Sequence, residues 1–259
     1  MMRYGLLITA ALIAFSAGLY IYMGRRLRRR PATSENKWAT VAFGLFWDLI
    51  GITSILFSLI LILEFIDHIR FEPVSYVLYL LLGSLLTPAV ICLIYWAVFL
   101  FTGKRKLTMA VTAFYIAIGA AGVFTFLYTG ADVVVRTDWM TVWENRNPIP
   151  NIIYFFAYII PVFFVSIAIA SLARHTKVPS EKYRRVMLGL SLILFNGMSL
   201  VRFLINYPYG PVGPDYMIIN TVQVLSALFV FWAYYPPRFI RKKYGIIGLS
   251  GERAPEVER

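Results

Sequence analysis

Seven apolar blocks, each about twenty residues or longer, divide this chain into spans separated by short polar segments. They cover 4–23, 38–63, 76–102, 107–129, 152–173, 186–206 and 216–235. At 1.5 Å of rise per residue, a twenty-residue helix crosses the roughly 30 Å hydrocarbon core of a bilayer. The pattern therefore predicts an all-α polytopic membrane protein. Its seven transmembrane helices form one domain over 1–249, and 250–259 follows as a disordered cytoplasmic tail. The connecting segments read as an acidic outer loop at 64–73, an outer strand or helix lying at the interface within 130–150, and a Pro- and Gly-rich turn at 207–215. Ala10, Ala14 and Gly18 on the first span, and Ala113, Ala117 and Ala121 on the fourth, recur every fourth residue. Each set predicts a narrow face for close helix packing.

Charge gives the spans a direction. Five arginines (Arg25, Arg26, Arg28, Arg29 and Arg30) follow the first apolar block directly. The short polar start of that block and the Ser16–Ala17 pair would suit a cleaved signal peptide, but those arginines would then have to be translocated. The block reads instead as an uncleaved anchor with its N-terminus outside. Alternation then puts 20 of the 25 Lys and Arg residues in inner segments and 4 in outer ones, as the positive-inside rule requires. The net charge of +12 thus marks topology rather than nucleic-acid binding. The clusters Arg25–Arg30, Arg184 with Arg185, and Arg238, Arg241, Lys242 and Lys243 are expected to contact anionic lipid headgroups or a protein partner, cytoplasmic or within the membrane.

The inventory of reactive side chains argues against catalysis. One cysteine and two histidines, both in loops, leave no metal site and no haem ligand inside a span. No span holds a histidine for a serine–histidine pair or a second aspartate beside Asp48, and the seventh span has no lysine for a retinal linkage. No enzyme activity and no cofactor are expected.

Asp48 is the costliest residue, a carboxyl about ten residues into the second span, where insertion of a charge costs roughly 2.5–3.5 kcal/mol. It reads either as a proton or ligand site, with Trp47 beside it, or as a neutral hydrogen-bond donor to another helix. Asn196, Arg202, Asn220 and Gln223 are the other polar groups in the spans. They read as interhelical bonding partners or as the lining of a pocket opening outward. Pro88 and Pro161 are expected kinks and candidate hinges.

The exit from the last span, Pro236, Pro237, Arg238, Phe239, Ile240 and Arg241, resembles the exit of seven-helix sensor modules in prokaryotic signalling proteins. The span count and orientation extend that resemblance at the level of topology. It implies a receptor-like membrane module. In such proteins the segment leads into a cytoplasmic output domain, whereas 18 residues follow Arg241 here, so signalling is expected to pass through another protein. Three functions remain open at this stage: a receptor-like or accessory protein binding a small molecule or lipid in its outer half, a small secondary transporter coupled through Asp48, and a non-catalytic subunit of a larger complex.

Overall fold

The computed structural model describes residues 4–29, 37–139, 141–206 and 215–244; the side chains at 198–206, 215–216 and 243–244 lie outside that description. Among the described residues, eight α-helices and one β-hairpin follow in order: α1 (Tyr4–Arg28), α2 (Lys37–Thr102), α3 (Arg105–Thr129), β1 (Ala131–Arg136), β2 (Thr141–Asn145), α4 (Ile149–Tyr154), α5 (Ile160–Leu172), α6 (Pro179–Asn206), α7 (Asp215–Tyr234) and α8 (Arg238–Tyr244). The class is all-α, and five of the described helices are long and apolar enough to cross a membrane.

The 66-residue α2 is two helices joined at a break. Asp67 takes extended backbone angles (φ −162°, ψ 96°), and its Oδ1 accepts hydrogen bonds from the N–H groups of Ile69 at 3.2 Å and Arg70 at 3.1 Å. That is an N-cap, in which a short acidic side chain satisfies the orphan donors of a new helix. The arms, 37–66 and 68–102 (here α2a and α2b), fold back on each other. Phe43, early in α2a, stacks on Trp96, late in α2b, with ring centroids 4.0 Å apart. The acidic loop expected at 64–73 is therefore helical on both sides of Asp67, and Pro73 is held within α2b. The charged run that suggested a loop supplies a cap instead.

The tightest packing joins α1 to α2a along a line of small residues spaced by seven. A Cβ added at Gly44 would lie 2.9 Å from the Gly24 carbonyl oxygen, and one at Gly51 would lie 3.0 Å from that of Ala17. Ser58 Oγ donates to the Ala10 carbonyl at 2.9 Å. Carbonyls at 24, 17 and 10 thus meet small residues at 44, 51 and 58. The helices run antiparallel with backbones in near contact, as small residues permit inside a membrane. The four-residue face read from the sequence is not the one used. Ala14 and Gly18 lie exposed, and nothing stands within 4 Å of a Cβ built at Gly18. Ala113, Ala117 and Ala121 on α3 are likewise exposed.

One end of the bundle carries the hairpin, in the 130–150 segment where a short strand or helix was expected. Strands β1 and β2 pair antiparallel, with Val133 opposite Trp143. Trp143 stacks on Tyr79 of α2b at 5.5 Å, and Arg136 reaches Glu72 at 2.6 Å and buried Glu64 at 3.7 Å. On the open side of the hairpin, hydrogen bonds from Arg146 at 2.7 and 2.8 Å hold the Asp132 carboxyl below the usual carboxylate range. The opposite end gathers the basic clusters around Tyr22, Tyr234 and Tyr235.

Close packing at Gly51 makes a direct prediction. Gly51→Ala places a methyl 2.5 Å from Ile21 Cγ1 and is expected to lower stability by about 1–3 kcal/mol. Gly18→Ala meets open space and should be neutral or mildly stabilising, since alanine is the better helix former. Thermal melts in detergent check the pair. Equal responses would remove the seam.

Candidate functional site

The α1–α2a register decides the surroundings of Asp48. It lies opposite Gly24, in the penultimate turn of α1, with its carboxylate against the space that a Gly24 side chain would fill. Because α1 continues to Arg28, five residues beyond the apolar block, the Arg28 guanidinium turns back and pairs with Asp48. Asp48 is 6 % exposed, whereas the Arg28 side chain is 39 % exposed and stays in touch with the surface. Trp47, the next residue round the helix, turns into the core. Its indole is fully buried, stacked on Tyr20 at 5.1 Å and edge-on to Phe43 and Phe46. Neighbouring positions thus serve different partners.

The remaining polar candidates join a set of hydrogen bonds between helices. The Tyr20 hydroxyl donates towards Ser226 Oγ at 3.1 Å and the Gln223 carbonyl at 3.2 Å. Ser226 and Ser191 donate to each other's carbonyls at 2.9 and 2.8 Å, locking α7 to α6. Gln223 Nε2 donates to Ser54 Oγ of α2a at 3.2 Å. Asn196 Nδ2 donates to Ser166 Oγ of α5 at 3.1 Å and to the Leu192 carbonyl at 2.9 Å. Asn220 is buried one turn from Gln223. Arg202 belongs to α6, but its side chain lies outside the described residues. Gln223 and Asn196 therefore spend their amides on neighbouring helices. Sequence reasoning missed Tyr20, Ser166, Ser191 and Ser226. The available signal for Tyr20 was its place on the buried face of α1, seven residues from Ile13 and seven from Leu27.

An open space lies elsewhere. A cavity of about 190 Å³ sits between α2b, α3, the end of β2 and the α4–α5 helix. Gly122 leaves it room, Phe126 and Tyr158 pack onto Gly83 and Gly119, and Leu86, Val123, Phe126 and Ile153 give it an apolar wall. Residues Phe155–Ile159, just before Pro161, form a wide π-turn joining α4 to α5, the kind of local rearrangement that accommodates a proline lacking its N–H. Tyr154 and Tyr158 flank this turn with ring centroids 5.8 Å apart, and both reach the cavity. Tyr158 donates its hydroxyl to the Tyr115 carbonyl at 3.2 Å; a side chain at Gly119 would overlap that hydroxyl. The Asn145 amide donates to Asn151 Oδ1 at 2.5 Å where the hairpin meets α4. Pro88 lies within helical backbone in α2b, two residues from Leu86 of the cavity wall. Hydropathy carried no sign of this space, because a glycine among apolar residues does not interrupt an apolar block.

Of the basic residues singled out, Arg25, Arg26 and Arg29 are exposed at the end of α1, with Arg26 over the Tyr22 ring. Arg184 lies over Tyr234, and Arg185 bonds Thr176 at 2.9 Å. Arg238 and Lys242 are exposed on α8, and Arg241 donates to the Pro236 carbonyl at 2.8 Å. Arg30, the Lys243 side chain and the 250–259 tail lie outside the described residues. No family profile, curated protein or solved structure matches the chain.

The two halves of the Asp48–Arg28 pair differ in what their loss exposes. Arg28→Leu strands a buried carboxylate and is expected to cost about 3 kcal/mol. Asp48→Asn leaves an arginine that reaches water and should cost about 1 kcal/mol. The double variant should fall short of the sum, because the partners are in contact. Unfolding of all three in micelles tests this, and strictly additive or equal costs would contradict the pairing.

Proposed function

We propose that the chain is a seven-span, receptor-like protein of the cell membrane, with its N-terminus outside and its C-terminus in the cytoplasm. It binds a small molecule in its outer half and acts through a partner protein. The observation that carries this reading is the cavity between α2b, α3 and α4–α5. Counting α2a and α2b as separate crossings, and adding α6, turns the five apolar helices into seven spans. The basic clusters then fall on the cytoplasmic side and the hairpin outside. On that orientation the cavity belongs to the outer half, next to the hairpin, as expected of a site loaded from outside or from the outer leaflet. No charged group lines it, which favours recognition and signalling over ion-coupled transport. The exposed α8 and the arginines of α1 form the cytoplasmic docking surface. A second reading, a subunit within a larger membrane complex, draws support from α3, whose Ala113, Ala117 and Ala121 face away from the bundle.

Filling the cavity tests this. A Cβ at Gly122 would touch only Ile153, at 3.4 Å, so Gly122→Leu projects into the space without displacing backbone. Purified wild-type protein screened against a broad metabolite library should gain thermal stability with a subset of compounds. Gly122→Leu should lose that response while its own melting temperature stays within a few degrees. Compounds that stabilise both proteins alike would contradict binding at this site.

A further inference from the structure

The walls of the cavity limit what can occupy it. Resting on the reading of that cavity as a ligand site, we infer that it takes a neutral, single-ring molecule carrying a hydroxyl group. No Asp, Glu, Lys, Arg or His is among the residues that line it, so a charged ligand would give up its hydration without a counter-charge. A dry cavity of about 150 Å³ is enough for benzene, and about 190 Å³ holds one ring with a substituent. Gly122 on α3 presents bare backbone, with only Ile153 near the position of a Cβ, so a ring can lie against it.

The polar groups select the substituent. Among the described residues the Tyr154 hydroxyl makes no hydrogen bond, although the residue packs against Tyr158 and lines the cavity. It is a donor in need of an acceptor. The Tyr158 hydroxyl already donates to the Tyr115 carbonyl, so it has only lone pairs to offer. A donor beside an acceptor matches a hydroxyl, which accepts from Tyr154 and donates to Tyr158. An ether or ketone could satisfy one of them only, and a bare hydrocarbon neither.

Full-length protein in nanodiscs, titrated with 4-methylphenol, toluene and benzoate, tests the assignment. 4-Methylphenol should bind several-fold more tightly than toluene, and benzoate should not bind. Tyr154→Phe keeps the ring and should weaken 4-methylphenol about five-fold while leaving toluene unchanged, the effect of one neutral hydrogen bond. Gly122→Leu should abolish both signals, which separates the cavity from partition into lipid. Benzoate binding as strongly as 4-methylphenol would overturn the inference, as would equal affinities for 4-methylphenol and toluene. Library ligands that are charged or long-chained, yet lost in Gly122→Leu, would overturn it and leave the broader binding reading standing. Probe binding that survives Gly122→Leu would overturn both.

Discussion

Close backbone contact between α1 and α2a is the constraint on which the rest of this structure depends. Carbonyls of Gly24, Ala17 and Ala10 face small residues at 44, 51 and 58, so one register is fixed over three contacts. A one-residue slip would take Gly24 and Gly44 out of register and bring side chains against the backbone at these contacts. With that register set, Asp48 comes opposite Gly24 and within reach of Arg28, and Tyr20 comes to lie over Trp47. Tyr20 then reaches Ser226, which is doubly bonded to Ser191. A seam between two helices thereby positions two more. Lipid competes with any helix for apolar contact, so shape and hydrogen bonds carry the specificity that a hydrophobic core would carry in water.

Glycine has opposite uses in the two halves of the bundle. At positions 24, 44 and 51 its missing side chain is filled by a neighbouring helix. At 122 the space stays open apart from Ile153, and at 119 it is taken by the end of Tyr158 and by Thr87. The first half is closed and knitted by hydrogen bonds. The second is looser, with α3 packed mainly on α2 and α4 and the hairpin covering one end. The proposed site lies in the looser half, and the closed half supplies a hydrogen-bonded frame.

Much of this architecture was legible in the sequence, and its limits have physical causes. Apolar blocks disclosed helices because a helix must hide its backbone wherever it meets lipid. Asp67 was read as part of a loop because it sits among charges, whereas one side chain capping two amides suffices to restart a helix. The small-residue faces were read at a spacing of four. Four residues along a helix drift by about 40° on each step, so the true antiparallel seam repeats at seven. Arg28 was assigned to the headgroups by its place beyond the apolar block. A long side chain on one further helical turn can reach back, and the nearest buried acid decides where it goes. The cavity was illegible because it is made of the side chain that Gly122 lacks and of a π-turn that only the folded chain reveals.

The most direct test of the account is photolabelling in native membranes with a diazirine-bearing phenol, with the attachment sites mapped by mass spectrometry. Labels on Leu86, Val123 and Tyr154, competed away by 4-methylphenol, are the predicted result. Labels confined to exposed residues such as Phe114 and Phe124, indifferent to competitor, would show a probe that never leaves the bilayer and would contradict the site.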